Sequence, residues 1–321
     1  MVTVEQIFAL GVKNGIKADP RGIKGVENHL KQMKKSYDEL KPKEKEYFDQ
    51  ENLINPYPDS RIHCGNRKQK VKRVLAGIDI GAGEILLASQ LNERKKPIDL
   101  IIAHHPTGQS LAGLHSVMDM FVEVYVKLGM PVHVAEKLME KRVAEVGRGV
   151  HPINHYQVID IAKALGINLM NTHTITDNLV KEFLRRYLDK QNPSTLGEMI
   201  EALLELPEYK QAKKLGAGPV LFAGNPKHRV GRYLLEMTGG TNPSDEVYKQ
   251  LSRYGVSTIV GMHMKDTGRE QADKFYMNVV IAGHIASDSL GMNLFLDELE
   301  RQGIEIVPCS GLIRVSRVKN K

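Results

Sequence analysis

From Val71 onward the chain alternates short apolar runs with longer amphipathic ones, and that alternation limits what it can fold into. KVKRVLAGIDI, PIDLIIAHHP and INLMNTHT read as strands, each dominated by Val, Ile and Leu and closed by polar, Gly or Pro residues. AGEILLASQLNERK, LAGLHSVMDMFVEVYVKLG, PVHVAEKLMEKRVAEVGRG and HYQVIDIAKALG carry apolar residues at helical spacing between and beyond them. After NPSTLGEMIEALLELPEYKQ the pattern resumes. GPVLFAGN, HRVGRYLLEM, VSTIVGMH and NVVIAGH are strands, and SDEVYKQLSRYG (a capped helix), TGREQADKFYM and SDSLGMNLFLDELERQG are helices, with IEIVPCSGLIRV as a closing strand. Apolar strands covered by helices on both faces define an α/β class with largely parallel sheets. Residues 1–55 look helical and polar, an N-terminal extension ending at the break NPYPDS. The expected division is a first α/β lobe from 56–194 plus 289–321 and a second from 195–288.

Composition narrows the chemistry. No apolar run approaches the roughly 18 to 20 residues that a membrane span needs. The N-terminal stretch is interrupted by Glu5, Gln6, Lys13 and Asn14, so it lacks a secretory apolar core, and a cytoplasmic location is expected. Only two cysteines occur, Cys64 and Cys309, in no paired motif. They are expected to be reduced thiols, and zinc-finger or iron–sulfur sites are excluded because those need more thiolates. Any transition-metal site must then use the twelve histidines and the carboxylates. The net charge of +7 sits largely in the first 75 residues and in the tail from Arg314 to Lys321. KQMKKSYDELKPKEKEYFDQE mixes both signs, the usual look of a solvated helical face, so nucleic-acid binding is not the expected role. The basic N-terminal region could instead draw in an anionic small molecule.

The informative residues fall where apolar strands stop. His104 and His105 end DLIIAHHP, where an α/β protein presents ligands at the carboxyl rim of its sheet. Adjacent strand residues point to opposite faces, so such a pair can serve two metals. In INLMNTHTITDNL a second apolar strand breaks into His173 and Asp177, and Asp177 could equally cap a helix beginning at NLVKEFLRRYL. NVVIAGHIASD brings His284 and Asp288, with a helix expected to start near Ala286 and Asp288 in its first turn. Together these ends offer imidazoles and carboxylates in a number too large for one tetrahedral zinc and suited to two cations sharing a carboxylate. His173 is placed beside Asp177, to orient it or to move a proton. His263, His115, His151 and His155 are expected to face solvent or make local hydrogen bonds. Met118, Met120, Met130 and Met139 fall among apolar neighbours and are expected in the core.

IDLIIAHHP, HTITD at 173–177 and GHIASD at 283–288, in that order, resemble the Nif-three-like family, also described as GTP cyclohydrolase I type 2-like. Its members share an HHP element, an HT-x-x-D element and a late GH-x-x-[ST]-E element, and DSRIHCG at 59–65 is similar to an early segment of theirs. The resemblance runs from residue 59 to about residue 315. It implies metal ligands at His104, His105, Asp177, His284 and Asp288. It also implies two α/β lobes with a dinuclear metal site in the cleft between them, often within a homohexameric ring. Three features depart from the family: Asp288 stands where Glu is usual, the N-terminal residues look additional, and the gap between HHP and HT-x-x-D is long, with extra sequence around LHSVMDMFVEVYVKLGMPVHVAEK. The expected function is a hydrolase dependent on two divalent ions (Zn, Fe, Mn, Ni or Co), acting on a nucleotide or phosphoester. The rival is a metal-binding scaffold or regulatory interaction protein without turnover.

Overall fold

A computed structural model describes residues 2–318. Its strands form two sheets. The first is ordered β1-β4-β3-β2-β9, from β1 (Ser60–Cys64), β2 (Arg73–Gly77), β3 (Leu100–Ala103), β4 (Leu169–Thr172) and β9 (Glu305–Cys309). The second is ordered β5-β8-β7-β6, from β5 (Val220–Ala223), β6 (Tyr233–Glu236), β7 (Thr258–Gly261) and β8 (Asn278–Ile281). In each sheet one edge strand, β1 or β5, runs antiparallel and the other pairings are parallel. The unbroken apolar runs have their reason here: every residue of β3, β4 and β7 is buried. Fully burying each of Leu100, Ile101 and Ile102 contributes about 1.5–3 kcal/mol relative to exposure.

Several elements differ from the sequence reading. SRIHC is a strand, held at the sheet edge by its register with β4 and by the buried Asn171, whose amide donates to the Asp59 carbonyl at 2.7 Å. A five-residue segment carrying Arg and His has no apolar alternation to announce it. The helix expected at NLVKEF begins five residues earlier and spans His173–Gln191, so Asp177 lies one turn inside it and caps nothing. The last long helix likewise starts at His284, not near Ala286, and runs to Glu300. The helix Val247–Arg253 has no side-chain cap.

The N-terminal helix Val4–Ala18 opens with a capping box between Thr3 and Gln6 and buries Val4, Ile7 and Phe8 in the core beneath the first sheet. Helix Ile23–Glu39 buries only Val26 and is otherwise the solvated face its mixed charges suggested. Residues of the long segment after His105, Met118, Phe121, Tyr125 and Met139, pack with Ile259 and Val279 against the second sheet. All four methionines named above are buried. In the described part of the basic tail both arginines are paired within the fold. Arg314 pairs with Asp297 at 2.7 Å and Glu300 at 2.6 Å, and Arg317 pairs with Glu208 at 2.7 Å. Its last residues, Lys319 to Lys321, lie outside the described residues. No helix among the described residues is long and apolar enough to cross a membrane.

The His284–Glu300 helix is buried on nearly all sides, as its lack of a polar stripe requires. Met292, Phe295 and Leu299 join the core of the first sheet, while Ala286 and Leu290 join that of the second. It meets the His173–Gln191 helix at Gly291, where an added Cβ would lie 2.4 Å from the Thr176 carbonyl oxygen. The neighbour is backbone and cannot swing aside, so Gly291→Ala must push two helices apart. Overpacking of this kind costs about 1–3 kcal/mol. A fall in the denaturation midpoint of that size is the expected result, and an unchanged midpoint would show that the crossing is loose.

Candidate metal centre

Strands from both sheets deliver the site. His104 and His105 follow β3, their amides still bonded to the carbonyls of Gly77 at 2.9 Å and Ile78 at 3.0 Å. His173 follows β4 directly, and His284 follows β8 after Ala282 and Gly283. Gly283 sits at φ +115°, and a Cβ there would lie 2.6 Å from the Ala217 carbonyl, so the sharp entry into the helix requires glycine. Asp177 and Asp288 each lie four residues after a histidine at the start of a helix, where i and i+4 share a face.

Hydrogen bonds fix how the imidazoles are aimed. Thr176 donates its hydroxyl hydrogen to the Thr172 carbonyl at 2.5 Å, so it accepts from Nδ1–H of His104 at 2.9 Å. Nδ1 of His105 donates to Asp79 at 2.7 Å, and Nδ1 of His173 donates to the buried Asp59 at 2.8 Å. Asp59 is held in turn by the Thr174 hydroxyl at 2.6 Å. A ring nitrogen committed in this way leaves Nε2 to serve as a ligand atom, the arrangement usual around metal-binding histidines.

All these Nε2 atoms face carboxylate oxygens. His104 Nε2 is 3.5 Å from Asp177 Oδ1 and 3.4 Å from Asp288 Oδ1. His105 Nε2 and His284 Nε2 lie 3.4 Å and 3.5 Å from Asp288 Oδ2. His173 Nε2 is 4.0 Å from Asp177 Oδ2. These separations are too long for good hydrogen bonds. Asp177 Oδ1 and both oxygens of Asp288 are accordingly buried without a hydrogen-bond partner. Donor atoms sharing one tetrahedral ion at about 2.05 Å would stand roughly 3.3 Å apart, which is the spacing observed.

The donors fall into overlapping groups able to hold a metal ion: His104 with Asp177 and Asp288, His105 with His284 and Asp288, and His104 with His105 and His173. The structure thus brings together all five residues expected as ligands. Asp288 belongs to two of the groups, with His104 and His105 on different oxygens of its carboxylate, whereas Asp177 belongs to one. His173, read as a proton-moving neighbour, stands among the ligand-competent histidines themselves. Asp79 and Asp59 carry no signal in the sequence for their role: the first is an ordinary acid after β2 and the second precedes β1 by one residue. His115 and His155 make local hydrogen bonds to the carbonyls of Ala112 and Val150, as expected.

Electrostatics reflect the crowding. Burial holds His104 down at about 4, against the pull of Asp288. Burial also disfavours charge on His105, but Asp288 and Asp79 overcome it and raise His105 to about 9. Asp177 is pushed well above the usual carboxylate range, first by burial and then by the negative charge of Asp288 and Asp59. Burial works the same way on Asp288, yet His104, His105 and His284 around it hold it well below that range. Two carboxylates this close cannot share the space as anions without a cation between them.

Beside the cluster lies a cavity of about 320 Å³, walled by Leu111, Leu114 and Phe121 on one side and by Glu236, the loop 237–243, Met262 and His263 on the other. Burial raises Glu236, the last residue of β6, to about 7, opposed by a hydrogen bond from Tyr248 and by Lys181. His263 ends β7 as the other histidines end their strands, a signal of the same kind that pointed only to a local bond in the sequence.

No protein-family model matches the sequence, and no curated protein is similar to it. Solved structures do match. A NIF3 superfamily protein from Sphaerobacter thermophilus is similar with a TM-score of 0.69 and 27% identity, over 79% of this chain and 92% of that one. Reduced HcgD from Methanocaldococcus jannaschii is similar in fold, with a TM-score of 0.53 and 15% identity over 84% of this chain and 97% of that one. The HHP, HT-x-x-D and GH-x-x-S-D segments are gathered at one point of the fold that this chain shares with the NIF3 superfamily protein.

Proposed function

We propose that the cluster holds two divalent cations and that the protein is a metal-dependent hydrolase. The observation that carries the reading is the trio of buried, unpartnered carboxylate oxygens on Asp177 and Asp288, facing imidazole nitrogens whose other nitrogen is already anchored. Leaving buried charge uncompensated costs several kcal/mol, and a cation is the compensation this donor set fits. His104, Asp177 and Asp288 would hold one ion, and His105, His284 and Asp288 the other. Imidazole and carboxylate together suit Zn, Fe, Mn, Ni or Co. Divalent cations in such a site supply Lewis acidity and make water a competent nucleophile near neutral pH.

The chain's own residues do the rest. Asp79, Asp59 and Thr176 keep the rings of His105, His173 and His104 oriented. Asp288 sets the separation of the two halves by presenting one oxygen to each. His173 adjoins Asp177, its ring oriented by Asp59, and would accept or return a proton there. The adjoining cavity admits an organic group to the cluster, so the donors are accessible from one side. A nucleotide or a phosphoester is the substrate the family resemblance implies, and a homohexameric ring is the assembly.

Zinc binding should be linked to protons. His105 holds a proton in the free protein until about pH 9, and Asp177 is pushed toward its protonated form; both must release it to a cation. Calorimetric zinc titrations at pH 7.5, in two buffers of different ionisation enthalpy, should therefore show net proton release and an affinity that falls as pH is lowered. Zero release would contradict the assignment of these donors. Asp79→Asn should weaken zinc by about ten- to a hundredfold through loss of the His105 anchor, and Asp288→Asn by more, because it serves both halves.

Turnover is tested on a panel of phosphoesters and GTP, with and without chelator. Activity that vanishes on chelation and is lost in Asp177→Ala supports the hydrolase. Full metal occupancy with no turnover across the panel would instead identify a metal-binding scaffold.

A further inference from the structure

The cavity beside the cluster has a composition of its own. One wall is apolar: Leu111, Leu114 and Phe121 come from the long segment after His105, and Met262 faces them from the end of β7. Among the described residues that line it, none is Lys or Arg, while Glu236 adds a carboxyl group to those of Asp177 and Asp288. Beyond the metal donors a phosphate or other anionic group would find no Lys or Arg and would meet the carboxyl group of Glu236, the proton of His105 being already shared with Asp79 and Asp288. Apolar walls with few polar groups fix instead an uncharged, largely apolar body.

One polar pair can orient such a body. The side-chain amide of Asn242 donates to the His263 carbonyl at 3.1 Å, which fixes its oxygen end toward the His263 ring. That oxygen lies 2.9 Å from Nδ1 of His263, so Nδ1 carries the hydrogen and Nε2 is left as an acceptor. No hydrogen bond among the described residues engages Nε2. The His263 ring packs edge-on against His284 with centroids 4.6 Å apart, so it stands next to the cluster, and His263 is one of the residues lining the same cavity.

We propose that this cavity selects an uncharged, ring-bearing amide, cyclic or open, whose N–H is accepted by Nε2 of His263, with its ring against Leu114 and Phe121. The proposal rests on the metal-dependent hydrolase reading and chooses an amide over a phosphoester as its substrate class. His263 is then a specificity-determining residue and Asn242 its positioning partner.

Two ring-matched probes separate the possibilities: acetanilide, neutral with one N–H, and phenyl phosphate, anionic with none. Their binding to the full chain is measured by ligand-observed NMR titration, both zinc-loaded and zinc-free. Acetanilide should bind more tightly than phenyl phosphate in the zinc-free protein. His263→Ala should weaken acetanilide about five- to tenfold, the worth of one hydrogen bond, and His263→Gln, which keeps an acceptor, should restore part of it. Leu114→Arg should reverse the preference by supplying the missing cation. Each variant's thermal midpoint shows whether it is folded. Tighter binding of phenyl phosphate to the zinc-free wild type, no binding of acetanilide, or equal acetanilide affinity in wild type and His263→Ala would each overturn the proposal. Failure of the metal reading shows separately, as a wild-type protein that takes up no zinc while acetanilide still binds.

Discussion

Two aspartates share a space almost closed to water, Asp177 at 4% exposure and Asp288 at 1%, and the neutral ring of His104 faces both with a lone pair of its own. In a folded chain such a meeting of acceptors is normally avoided, since each buried polar atom without a donor forfeits the energy it had in water. Here the surrounding structure enforces it. Thr176, Asp79 and Asp59 take the Nδ1 hydrogens of His104, His105 and His173, and both carboxylates sit on buried first turns of their helices. The electrostatic compromise is uneven: Asp288 keeps its charge among the imidazoles and Asp177 is driven toward neutrality. The donor groups gathered at this point could hold a metal ion, which would supply the positive charge they lack.

The same local device appears twice. A buried strand ends, a histidine opens a long helix, and an aspartate one turn later faces that histidine, once at His173 and Asp177 and again at His284 and Asp288. One copy follows the first sheet and the other follows the second. The His104–His105 pair, on a strand end without a helix of this kind, lies between the two and touches both carboxylates. Neither sheet alone could supply the donor set. The centre therefore depends on the packing of the two cores along the His284–Glu300 helix, which contributes side chains to each.

Much of this was legible in the residues. Histidines directly after runs such as DLIIA and NVVIA stand out because imidazole is out of place at the end of a buried strand unless it has a partner. The order of the three segments added specificity that no single one had. Asp177 was harder to place. HTITD is rich in β-branched threonines with poor helix propensity, so the helix was expected to begin after it. Burial of Thr174 and Thr176, with their hydroxyls bonded to Asp59 and to the Thr172 carbonyl, overrides that preference. Asp59 and His173 are 114 positions apart, and Asn242 and His263 are 21 apart. Partnerships set by folding across such distances leave no local pattern to read. The strand β1 escaped notice for a related reason: its pairing with β4, and not its composition, makes it a strand.

The glycine at position 291 places backbone against backbone where the two aspartate-bearing helices cross. Side chains at such a crossing could rearrange to let the helices slide, whereas a peptide carbonyl against a Cα is a hard stop. Asp177 follows Thr176 by one residue and Asp288 precedes Gly291 by three, so this stop sits within a turn of both donors. Were the site to hold metal, the gap between them would act as a calibrated aperture, resisting both shrinkage around a small ion and widening for a large one. Discrimination between cations in this protein would follow from ionic radius and coordination geometry imposed by the main chain. The shortened reach of aspartate at 288 would be part of the gauge.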